Sequence, residues 1–213
     1  MTETDMSPLS PESTPELDDA EAMRADIYRL LARLLREPPD AGLLAWLASL
    51  EIEDEASPLT PPWRALLASA RHANLSTLER AHFLHLVGVI QGEITPYASW
   101  YRNGELMDEA LVALRRDLRA LGLERNEQTR DPEDHLAALC EAMALLIESR
   151  SPVEGRFFMA HLAPWAMTCL DDLAKVENAF YASLGRLGRA FLDTEQARLA
   201  AEADLDPVRL VEP

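Results

Sequence analysis

Three stretches carry side chains whose types and spacing could do chemistry. Glu79-Arg80-Ala81-His82 has the Glu-x-x-His spacing of di-iron helical bundles. Such a centre needs a second motif of this kind and two further glutamates on facing helices, and no second Glu-x-x-His is present. His82 and His85, three apart on one predicted helix, could meet a single metal, but zinc prefers a full tetrahedral set and no obvious third and fourth ligands accompany them. His135, with Glu133, Asp134 and Glu141, has the residue types of a general acid–base cluster. No nucleophile elbow, phosphate loop or metal motif supports it. A capped helix with a half-buried histidine explains the same residues, so no catalytic group, metal or cofactor is expected. The alternative is a helical metalloprotein using His82, His85 and His135 with nearby carboxylates.

The elements that would position these groups are helices. Leu, Ala, Glu and Arg dominate, Val and Ile are sparse, and only eight glycines are available for turns. Asp131-Pro132-Glu133-Asp134-His135 reads as a helix start, with Asp131 as the cap, Pro132 in the first position and both acids in the first turn. Leu136, Leu139, Met143 and Leu146 behind them commit one face to a core. Upstream, Thr14-Pro15-Glu16 opens a helix that Pro38-Pro39 ends, and Asp40 caps a second. Thr60-Pro61-Pro62 starts a third, and the Ser76–Glu79 box places a fourth over Thr77 to about Ile90. A loop from Gln91 to Gly104 follows, unusual in holding Tyr97, Trp100 and Tyr101. These rings either pack inward or form a sticky surface, and packing is the expected outcome. A fifth helix runs from about Met107 to Leu121 with Gly122 past its end. One or two more surround Phe157 to Leu170, with Pro164 marking a break or a first turn, and a long last helix starts near Asn178. Gly185 and Gly188 on it would let a neighbour approach closely.

The expectation is therefore an all-α, single-domain bundle of about eight to ten helices. Residues 1–13 read as disordered, 14–203 as the helical domain and 204–213 as a flexible tail. The 213 residues, 48% hydrophobic, are enough for a packed core. A formal net charge of −17 argues against nucleic acid and suits a cationic peptide. Cys140 and Cys169 read as buried free thiols of a reducing compartment. The N-terminus lacks a signal peptide's basic and apolar regions, and no apolar run suffices for a membrane span, so the expected location is cytoplasmic.

Two of these stretches carry a resemblance. Pro96-Tyr97-Ala98-Ser99-Trp100-Tyr101, followed by Asp131-Pro132-Glu133-Asp134-His135, resembles the TorD/DmsD/NarJ group of redox-enzyme maturation chaperones. That group shares a Pro-Tyr-x-Ser-x-Tyr loop and a Glu-Pro-x-Asp-His helix start. The resemblance extends from about Ile27 to Leu199. Asp131 stands where the group more often has Glu, and Leu139 where many relatives carry an acid. The resemblance implies an all-helical chaperone, not an enzyme, present as a monomer or homodimer. Its partner would be an apo molybdoenzyme catalytic subunit or its twin-arginine signal peptide. The client's export would wait until the molybdenum cofactor is in place. It implies peptide-binding roles for Leu86, Pro96, Tyr97, Ser99, Tyr101, Pro132, Asp134 and His135. Some relatives are associated with a nucleotide or molybdenum-cofactor precursor, for which this chain has no phosphate-loop signature.

Overall fold

The computed structural model describes residues 17–52, 56–88, 92–124 and 131–205, with 203–205 as backbone only. Local signals set most helix ends. Helix α1 (Asp19–Arg36) begins in a reciprocal box, in which Asp18 accepts the Glu21 amide at 2.7 Å and Glu21 accepts the Asp18 amide at 3.2 Å. The expected start at Thr14-Pro15-Glu16 lies outside the described residues, as do the disordered segment 1–13 and most of the C-terminal tail. α1 stops at Arg36, before Pro38-Pro39, and Asp40 caps α2 (Ala41–Ser49) through the Leu43 amide at 2.8 Å. α3 (Thr60–Arg71) opens on its prolines. α6 (Glu109–Ala120) precedes the left-handed Gly122, and Asn178 takes the first free amides of α10 (Ala179–Leu205).

The remaining elements are α4 (Leu75–His82), a single π-turn (Phe83–Val87), α5 (Ala98–Asn103), α7 (Leu136–Glu148), α8 (Glu154–His161) and α9 (Ala166–Leu173). The fold is all-α, with ten α-helices among the described residues. None of these helices is long and apolar enough to cross a membrane. α1 lies along α7, while α10 packs against α9 and α3. Tyr28, Leu34, Leu136, Met143, Phe158, Trp165, Leu184 and Phe191 are buried between these layers. Cys140 and Cys169 are free thiols within the same core.

Three expected boundaries are corrected. Asn74, not the Ser76–Glu79 box, caps α4, because its side chain faces the Thr77 amide and leaves Leu75 as the first helical residue. The α4 pattern does not continue to Ile90. It widens into the π-turn and ends at Gly88, whose φ of 65° favours glycine; Ile90 itself lies outside the described residues. The aromatic segment is not a loop throughout, since Ala98 to Asn103 form α5.

The glycine pair on α10 has the expected purpose. A Cβ on Gly185 would lie 2.5 Å from the Ala174 amide nitrogen and 2.7 Å from the Leu170 carbonyl oxygen. On Gly188 it would meet the movable end of the Leu170 side chain. Gly185→Ala is therefore expected to cost about 2 kcal/mol by forcing α9 off α10. Gly188→Ala should cost less, and urea melts of both proteins check the order.

Candidate functional site

The two sequence motifs form one structural unit. Tyr97 and His135 face each other in an isolated antiparallel bridge. The Leu136 amide donates to the Pro96 carbonyl at 2.8 Å, and the Ala98 amide donates to the Asp134 carbonyl at 3.0 Å. Side chains repeat the connection. Asp134 Oδ2 accepts from the Ser99 amide at 3.0 Å and from the Ser99 hydroxyl at 2.5 Å, and both residues are fully buried. The start of α5 is thereby held against the start of α7.

This geometry overturns the expected helix start. Asp131 does not cap α7, and Pro132, Glu133 and Asp134 lie before its first turn rather than in it. The cap is His135. Its Nδ1 accepts from the Ala137 amide at 3.0 Å, so the ring is neutral with its proton on Nε2. Burial pulls its pKa down to about 4, and Arg36 and His82 push the same way against the opposing pull of Asp131. Nor is Asp134 an exposed acid offered to an arginine. It is an internal strut, and its second carboxyl oxygen has no hydrogen-bond partner among the described residues. The acid that does face the surface is Asp131, half-buried and 3.4 Å from the Tyr97 hydroxyl that donates to it.

Around this unit runs a two-lobed groove. The apolar lobe has a volume of roughly 300 Å³. Leu35, Leu86, Ile94, Pro96, Tyr97 and His135 line it. Val87, Trp100, Leu106 and Met107 stand exposed at its rim. The second lobe, roughly 230 Å³, lies between α6 and α7. It combines Leu118, Leu139, Ala142 and Leu145 with the acids Glu124, Glu133 and Glu141. Arg36, Asp131 and Pro132 line both lobes and form the saddle between them. Each lobe is at the small end for a cofactor pocket and suits a few side chains.

Of the eight residues expected to bind peptide, Leu86, Pro96, Tyr97, Pro132 and His135 line the apolar lobe. Ser99 and Asp134 lie behind it. Tyr101 points elsewhere, its hydroxyl donating to Asp172 at 3.1 Å and its ring tilted against Trp165. The aromatic segment is thus divided. Tyr97 and Tyr101 are half-buried, while Trp100 is exposed at the rim. Sequence reasoning missed Arg36, Val87, Leu106 and Met107.

The histidines are separately engaged. His82 Nε2 lies 3.3 Å from the Leu35 carbonyl, and His85 Nδ1 lies 2.6 Å from Glu93. Among the described residues, no group of three or more His, Cys, Asp or Glu side chains could hold a metal, so the metalloprotein alternative is not favoured.

Residues 52–171 match the family model of the nitrate reductase delta subunit, and the chain belongs to that family. Its fold is shared with the crystal structure of a protein described as a redox enzyme maturation protein from Archaeoglobus fulgidus. That match has a TM-score of 0.55 at 15% identity, over 85% of this chain and 99% of the other. Among curated relatives, the chaperone protein TorD of Actinobacillus pleuropneumoniae serotype 7 (strain AP76) is 27% identical over 180 residues, 80% of this chain and 90% of TorD. The Tat proofreading chaperone DmsD of Salmonella typhi is 33% identical over 109 residues, 50% of this chain and 53% of DmsD.

Proposed function

We propose that this chain is a system-specific chaperone, not an enzyme. In this reading it works in the cytoplasm on a molybdopterin oxidoreductase. It binds the apo catalytic subunit or its twin-arginine signal peptide, assists cofactor insertion and delays export until the client is mature. The names of its relatives support the chaperone role, and the observation that carries the peptide reading is the groove itself. An apolar lobe with exposed rim side chains adjoins an acid-bearing lobe across the Asp131–Pro132 saddle. A twin-arginine peptide has the complementary composition, guanidinium groups followed by an apolar run. The overall charge of −17 would speed its encounter with the chain.

Trp100 gives the cleanest test, because it lies at the rim and outside the Asp134–Ser99 connection. Trp100→Ala should weaken a twin-arginine peptide about tenfold by calorimetry, as for an aromatic anchor at an interface, with its melting temperature close to wild type. Unchanged affinity would remove the apolar lobe from the site.

A further inference from the structure

Arg36 occupies an unusual position for a surface arginine. It is the last residue of α1, and its side chain reaches the saddle and lines both lobes. Its two terminal nitrogens engage the two oxygens of Glu141, the longer contact being 3.0 Å. This fork-on-fork contact suits a guanidinium and does not suit an ammonium. The third nitrogen, Nε, is buried without a hydrogen-bond partner among the described residues. Glu141 remains about half exposed, with Leu139, Ala142 and Leu145 beside it. The groove thus already holds one guanidinium against an acid and an apolar floor.

Resting on the peptide-binding reading, we infer that Arg36 occupies the position of a client arginine in the free chain, and that client binding exchanges one guanidinium for the other on Glu141. The exchange fixes the direction of the ligand. Its arginines enter the lobe between α6 and α7, and its apolar run crosses Pro132 toward Leu86 and Trp100. It also favours arginine over lysine, since only a second fork replaces the one displaced. The pair is partly exposed, Arg36 less so than Glu141, and costs little to break, so Arg36 lowers affinity without closing the site.

The test is calorimetry, at low and high salt, of a synthetic twin-arginine peptide carrying its apolar run and of its twin-lysine counterpart. Arg36→Gln should bind the arginine peptide about fivefold tighter at low salt, and Glu141→Gln about fivefold weaker, the scale of a partly exposed ion pair. The Arg36→Gln/Glu141→Gln double variant should match Glu141→Gln alone, because a competitor has no effect once the shared acid is gone. Arg36→Lys, which preserves charge and helix propensity, should tighten binding by a smaller factor. The arginine peptide should gain more than the lysine peptide from Arg36→Gln. If wild type binds but Arg36→Gln binds equally or more weakly, the exchange is refuted and the chaperone reading stands. Equal tightening in the Glu141→Gln background would also refute it, by showing a general charge effect. Failure of the wild type to bind the arginine peptide would overturn the peptide-binding reading on which the exchange rests.

Discussion

Asp134→Ala is expected to lower the unfolding free energy by about 3 kcal/mol, since it removes two buried hydrogen bonds and strands the Ser99 amide. Peptide affinity should fall with it. Without the strut, Pro96 and Tyr97 are held to the start of α7 by the backbone bridge, the Tyr97–Asp131 hydrogen bond and the edge-on contact of the Tyr97 and His135 rings. Asp134→Asn should be much milder, because an amide oxygen can still accept both Ser99 donors. The amide nitrogen then takes the place of the carboxyl oxygen that has no partner among the described residues. Urea denaturation of both proteins, followed by peptide titration of the folded fractions, gives the comparison. Equal losses for Ala and Asn would mean that the acid's charge, not its acceptor geometry, holds the site. A stable Asp134→Ala protein that binds normally would remove the strut altogether.

Mild acid should destabilise the fold, and His135 is the principal cause. Its folded pKa of about 4 lies below the ordinary histidine value near 6.5. The unfolded chain therefore binds the extra proton between these limits. The stabilisation is complete above about pH 6.5, erodes as pH falls and is gone below about pH 4, amounting to about 3 kcal/mol. Burial lowers the pKa of His82 and His161 as well, so they act in the same direction. Protonation of Nδ1 also takes away the acceptor that caps α7. Binding should weaken in this range because the groove loosens, not because a cation repels the peptide. His135→Asn retains a capping acceptor but no titration, and its melting temperature should be flatter than wild type between pH 6.5 and 4.5. Superimposable wild-type melts at pH 7 and 4.5 would show that His135 is not held neutral by the fold.

Much of the helix pattern was legible because it depends on local chemistry. Asp40, Asn178 and Gly122 act where their side-chain or backbone preferences place them, and Pro38-Pro39 stops α1. The start of α7 was misread for an equally physical reason. Asp-Pro is a strong local start signal, yet tertiary pairing with Pro96 and Ala98 holds Asp134 in a turn and His135 extended before the helix begins. A histidine cap is also outside the usual capping set. The π-turn itself packs against Gly92, where an added Cβ would lie 2.7 Å from the His85 carbonyl oxygen. No spacing within α4 reports that contact. Pro96, Tyr97, Pro132 and His135 were found through the two family motifs and Leu86 through the wider resemblance, whereas Arg36 was missed because it belongs to no motif and reaches the site from a distant helix.

The bridge between Tyr97 and His135 also has a kinetic meaning. It joins segments on either side of α6, so the groove cannot exist until that intervening chain has closed on itself. The amides of Ala98 and Leu136 seal the closure and should exchange with deuterium together, as one sub-global opening rather than as two frayed ends. A peptide seated across the saddle would slow both at once. Occupancy can then be read from two backbone protons that the ligand never touches.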